Sequence, residues 1–153
     1  MTLSDKLAEF RTIFIDTDPI IYYIEAHPLF GPLAKEVADA FGSGKLAAYS
    51  SVITLAEVLP KPVKTGNEAL VRRFSAFLRH GKNLCLTEIS TDAAETAGRL
   101  RGKYTFLRAM DAIQIAVALE ISADAVITND LKFKQVKEVE SVVLKDYLNG
   151  TLV

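Results

Sequence analysis

Apolar residues fall along this chain in short, β-rich runs that alternate with longer stretches of helical spacing, the pattern of a parallel sheet clothed by helices. Thr12-Ile-Phe-Ile15, Lys45-Leu-Ala-Ala-Tyr49, Leu84 to Ile89, Ala125-Val-Ile-Thr128 and Ser141-Val-Val-Leu144 read as strands. Helical spacing predicts segments over Pro19–Glu25, Leu33–Phe41, Val52–Leu59, Asn67–Arg79 and Asp92 to about Leu100, after a loose turn at Ser4–Leu7. The punctuation agrees. Pro19 suits a first helical turn, Gly42-Ser-Gly44 and Gly81 close helices, and Ser50-Ser51, Asn67 and Asp92 with Glu95 open them. Pro60 and Pro62 are expected to stop a helix and leave Lys61–Gly66 as an exposed loop, and a short tail follows Leu144.

The most apolar stretch runs from Thr105 to Asp130. Phe106, Leu107, Met110, Ile113, Ala116, Val117 and Leu119 keep helical spacing up to Glu120, and Ala112, Ile115 and Ala118 fill most of the remaining surface, so this helix is buried. Asp111 lies in its first turns, where unpaired backbone N–H groups and the helix dipole favour a carboxylate. After the break at Ile121-Ser122, the strand Ala125–Thr128 runs out into Asn129-Asp130. Asp16 likewise ends the first strand, and Glu57 interrupts an apolar helix with Thr54 three residues earlier on its face. Ligands of open α/β sheets bind at the C-terminal edges of strands. The expected architecture is a three-layer α/β/α arrangement with a central, mostly parallel sheet, residues 1–153 forming one domain.

At 153 residues the chain is long enough to bury a core without disulfides. Half of it is hydrophobic and mean hydropathy is +0.20, yet no apolar run approaches the roughly 20 residues that span a bilayer. The N-terminal MTLSDKLAEF carries no signal-peptide pattern, so a soluble, cytoplasmic protein is expected. Cys85, the single cysteine, is expected as a small core residue, and His27 and His80 as surface residues beside turns. A net charge of −1 excludes a bulk electrostatic grip on nucleic acid. Charge is unevenly spread, however: Lys61, Lys64, Arg72, Arg73, Arg79 and Lys82 face only Glu68, and Arg99 to Arg108 holds bases and no acid. These are either solvated helix faces or a rim that follows phosphates.

Asp16, Glu57, Asp111 and Asp130 each interrupt or end a very apolar segment. A buried carboxylate without a counter-charge is costly, and the one basic neighbour in these segments, Arg108, cannot neutralise four acids. A hard divalent cation can: Mg²⁺ or Mn²⁺ takes one or two carboxylates with waters and phosphate oxygens, and Thr54, Thr128 and Asn129 suit its outer shell.

FIDTDPIIYYIE around Asp16, SSVITLAEVL around Glu57, LRAMDAIQIAVALE around Asp111 and AVITND at Asp130 together resemble the PIN-domain nucleases, especially the VapC-type toxins of toxin–antitoxin pairs. The resemblance spans about Ile13 to Leu144 and implies a parallel sheet flanked by helices and metal-dependent endonucleolytic cleavage of RNA. It assigns catalysis and metal binding to Asp16, Glu57, Asp111 and Asp130, with Thr128 as the polar residue before the last acid. Mg²⁺ or Mn²⁺ would sit on Asp16 and Asp111, Glu57 and Asp130 would complete its shell and orient the attacking water, and Arg108 would meet the phosphate. Asp18 stands where such proteins often carry Asn or Ser, and either joins the site or caps a helix. Lys132 stands where a further acid is common, so a second tightly bound metal is not implied. An antitoxin partner and a homodimer also follow, the dimer through a patch of Tyr22, Tyr23, Ile24, Leu33 and Phe41 if these are not core. Two rivals are a catalytically silent binding module with the same fold and a haloacid-dehalogenase-type phosphatase using Asp16 and Asp18. Against the second, Pro19-Ile20 follows Asp18 and Glu57 and Asp111 would have no role.

Overall fold

Ile13, Phe14 and Ile15 are at most 1% exposed because the strand that carries them, β1 (Thr12–Ile15), is the middle strand of the sheet. The computed structural model of the chain describes residues 1–148; residues 149–153, the end of the expected tail, lie outside the described residues. The sheet has five strands in the order β3-β2-β1-β4-β5, with β2 (Ala47–Ser51), β3 (Leu84–Thr87), β4 (Ala125–Thr128) and β5 (Ser141–Val143) all paired in parallel. Strand periodicity divides the core between the two sheet faces. Ile13, Ile15, Ala125 and Ile127 face the layer of α1 (Leu3–Leu7), α2 (Thr17–Ile24), α3 (Gly31–Gly42), α4 (Val52–Val58) and α6 (Glu68–His80). Phe14 and Val126 face α7 (Thr91–Lys103) and α8 (Ala109–Glu120). This is the expected three-layer α/β/α arrangement.

Several local expectations change. Pro60 does not end in a loop: it opens a further short helix, α5 (Pro60–Lys64), because a first-turn position has no N–H to lose. Ser90, not Asp92, caps α7, its hydroxyl accepting from the Ala93 N–H at 2.9 Å, and the helix continues through Gly102 to Lys103. Helix α8 starts at Ala109, later than Thr105, since Thr105–Leu107 form a turn closed by the Leu107 N–H donating to Tyr104 O. Cys85 is exposed: β3 is an edge strand, and alternation turns Leu84 inward and Cys85 out. Three of the five residues envisaged as a homodimer patch, Ile24, Leu33 and Phe41, are core, and the partly buried Tyr22 and Tyr23 pack against it. His27 is half-buried between Tyr22 and Phe30, its Nδ1 accepting from the N–H groups of Leu29 and Phe30.

Candidate functional site

The chain lays down β1, β2 and β3 outward in one direction and then returns to place β4 on the other side of β1. The strand order therefore reverses between β1 and β4, where a crevice opens at the C-terminal edge. Asp16 directly follows β1 and forms the N-cap of α2; Asp130 lies two residues beyond β4. The pairing of Ile15 with Ile127 brings the two strand ends together. The Asp16 N–H donates to Ile127 O at 2.9 Å, the Thr128 hydroxyl donates to Asp16 Oδ2 at 2.8 Å, and the Asp130 N–H donates to Thr128 Oγ1 at 3.1 Å. Thr128 thus ties both acids to one hydroxyl.

Asp16 is 8% exposed and has no Lys or Arg partner among the described residues. Burial pushes its carboxyl up to about 7 against the lowering effect of the Thr17 N–H and the Thr128 hydroxyl, and the charges of Asp18 and Asp111 raise it further. Asp111, in the first turn of α8 and half-buried, is also raised, first by burial and then by Asp130 and Glu57; Lys132 and Arg108 oppose. Asp18 is raised by burial, Glu57 and Asp130, with Lys145 opposing. These mutual influences mark one acidic centre. Asp18, Glu57, Asp111 and Asp130 line an open cavity of about 720 Å³, with Arg108, Lys132 and Lys145 on its wall and Asp16 buried beside it. Asp18 therefore joins the cavity, and the cap of α2 is Asp16.

Glu57 is exposed rather than buried, and the residue that orients it is Thr17, whose hydroxyl donates to Glu57 Oε1 at 2.6 Å. Thr54 does not reach the cavity. It is fully buried in a polar network that links three elements: its hydroxyl lies 2.8 Å from Ser50 Oγ and accepts from Gln114 Nε2 at 2.8 Å. The Ser50 hydroxyl donates to Ile15 O at 2.8 Å, the Ser51 hydroxyl donates to Gln114 Oε1, and Ser51 Oγ accepts from the Ile53 N–H. Gln114, one turn beyond Asp111, thereby locks α8 against β2 and α4, the elements that carry Asp111 and Glu57. Asn129 is likewise committed, its amide donating to the Tyr22 hydroxyl at 3.2 Å and its Oδ1 accepting from the Lys145 N–H at 2.9 Å, which leaves little of it for an ion's outer shell. Thr17, Ser50, Ser51 and Gln114 were not singled out as site residues from the sequence. The signal was present for Gln114, the lone polar residue from Ala112 to Leu119 in a helix otherwise apolar over that span. Gln114→Ala leaves the Ser51 and Thr54 hydroxyls short of partners in a dry interior, so it is expected to cost about 2–4 kcal/mol in urea unfolding. A loss under about 0.5 kcal/mol would mean the network does not hold these elements.

No three His, Cys, Asp or Glu side chains among the described residues form a ready-made coordination set. The donors still suit a hard, water-retaining ion, which needs only one or two carboxylates and completes its shell with water and phosphate oxygens. The buried, unpaired Asp16 carboxylate is the observation that fits it: such a group is costly alone and is relieved by a cation.

The family model of the PIN domain matches residues 13–139. Among solved structures, VapBC2 from Rickettsia felis bound to a promoter DNA fragment is similar at TM-score 0.71 and 20% identity, covering 86% of this chain and 98% of that one. A toxin–antitoxin complex from Klebsiella pneumoniae is similar at TM-score 0.65 and 24% identity, covering 86% and 97%. VapC20 of Mycobacterium tuberculosis, a sarcin-ricin loop cleaving toxin, is similar at TM-score 0.68 and 18% identity, covering 84% and 97%. No curated protein matches significantly by comparison with the chain.

Proposed function

We propose a ribonuclease: the chain belongs to the PIN domain family, and its acidic centre supports Mg²⁺- or Mn²⁺-dependent endonucleolytic hydrolysis of RNA by the toxin of a toxin–antitoxin pair. The observation that carries this reading is the buried Asp16 carboxylate, without a Lys or Arg partner among the described residues, at the switch point beside Asp111 and Asp130. A divalent ion bound there supplies the positive charge that draws in the scissile phosphate and makes water a competent nucleophile at neutral pH. Asp16 and Asp111 would hold the ion, and the Thr128 hydroxyl fixes the orientation of the Asp16 carboxylate. Glu57, steadied by the Thr17 hydroxyl, accepts the proton of the attacking water as the new phosphorus–oxygen bond forms, and the ribose oxygen leaves as its bond to phosphorus breaks and takes a proton from solvent water. Asp130 orients that water, and Arg108, at the start of α8, meets the charge on the phosphate.

Purified protein should cut a tRNA pool at discrete sites with Mg²⁺ or Mn²⁺, stop on EDTA and resume with excess Mn²⁺. Intact RNA under every condition, from folded protein, would remove the reading. An antitoxin is the proposed partner, with a basic side chain entering the acidic cavity; one of the similar structures is a toxin–antitoxin complex.

Proton competition gives a further expectation. Asp16 must be ionised to hold the ion and its carboxyl sits at about 7, so Mn²⁺ affinity should fall roughly tenfold per unit as pH drops below 7 and level off above it. Calorimetric titration between pH 5.5 and 8.5 checks this, and a flat profile would mean that proton release from Asp16 is not coupled to ion binding in this range.

A further inference from the structure

Three cations line the acidic cavity, and among the described residues only Lys132 is held against a carboxylate of the site, its Nζ standing 3.9 Å from Asp130 Oδ2. That separation is an ion pair but too long for a hydrogen bond, so the pairing leaves its N–H donors free. The backbone beneath it is fixed: the Lys132 N–H donates to Asp130 Oδ1 at 3.0 Å at the start of the 3-10 turn Leu131–Gln135. The side chain itself is 43% exposed, anchored at its root and open at its tip. Its charge also reaches Asp111, where it opposes the carboxyl's upward shift more strongly than Arg108 does.

We propose that Lys132 is the second cation of this centre: its ammonium holds the place beside Asp130 that a second divalent ion would need, and contacts the RNA phosphate when substrate binds. A positive charge within ion-pair distance of Asp130 repels a divalent ion from that carboxylate, and a flexible stem lets the ammonium follow a phosphate oxygen. The choice of RNA as ligand rests on the nuclease reading above; the ion count does not.

The test separates the two. Mn²⁺ is titrated into metal-free protein by calorimetry, and binding of a short single-stranded RNA in Ca²⁺ is followed by fluorescence anisotropy. Wild type and Lys132→Arg should bind one Mn²⁺, and Lys132→Asp two. Lys132→Met, which keeps the stem and the backbone N–H, should bind Mn²⁺ about tenfold more tightly and RNA about tenfold more weakly. These opposite shifts distinguish the role from a structural one, which would weaken both. Two Mn²⁺ in wild type, one in Lys132→Asp, or unchanged affinities in Lys132→Met would overturn the proposal. If the ion counts hold and no RNA is cut, the nuclease reading fails while Lys132 keeps its place; RNA cut by a wild type holding two ions is the reverse.

Discussion

Asp16→Asn is expected to make the metal-free protein more stable at neutral pH while abolishing ion-dependent cleavage. The folded-state carboxyl sits at about 7 against an ordinary value of 3.8, with burial as the leading cause. Between those values the folded chain binds more protons than the unfolded one, so stability from this group is full below about pH 4 and is lost as pH rises through about 7. Above pH 7 the wild type carries the whole penalty of a buried charge, up to about 4 kcal/mol at roughly 1.4 kcal/mol per unit. Asn has the same shape, keeps an oxygen that accepts from Thr128, and carries no charge. Urea unfolding in EDTA should therefore show the variant above wild type at pH 8, with the gap closing by pH 4. Equal or lower stability at pH 8 would mean that Asp16 is not held as an uncompensated charge. Adding Mn²⁺ should reverse the order, because an ion that binds only the folded wild type stabilises it by mass action.

Asp111→Asn is the second large effect, and it should separate function from fold. The residue sits in the first turn of α8, where a carboxylate gains about 0.5 kcal/mol from the helix dipole. Repulsion from Asp130 and Glu57 and partial burial work against that gain, so metal-free stability should move by less than about 1 kcal/mol. Loss of one of the two carboxylates proposed to hold the ion is different in kind. Mn²⁺ affinity should drop at least about 100-fold and cleavage about 1,000-fold. A variant that cuts RNA within about threefold of wild type would place the chemistry elsewhere.

The sequence made the centre of the sheet legible because two of its inner strands are short β-rich runs buried on both faces, and Thr12–Ile15 and Ala125–Thr128 match the observed β1 and β4 residue for residue. Helix starts were harder. Pro60 breaks an incoming helix and opens an outgoing one equally well, and the apolar run from Thr105 conceals a turn before Ala109 because core packing and helix periodicity use the same residues. The neighbourhood of Asp16, Asp111 and Asp130 followed from strand ends and a helix start, positions that topology fixes. What stayed hidden depends on which way a side chain points. Thr54 shares a helix face with Glu57, yet turns into the interior towards Gln114, and Thr17, adjacent to Asp16, takes the place beside Glu57. Partners 40 and 60 residues apart leave no local trace. Cys85 was misread for a related reason, since a single strand does not announce that it lies at the sheet's edge.

The most direct test joins binding to chemistry in one protein preparation: Mn²⁺ binding by calorimetry and Mn²⁺ activation of RNA cleavage, measured at one pH for wild type and Asp111→Asn. The acidic centre should give a wild-type activation midpoint that coincides with its binding constant, and a folded variant that neither binds at those concentrations nor cuts. Cleavage that persists in the variant, or that is unaffected by the ion in wild type, would contradict it.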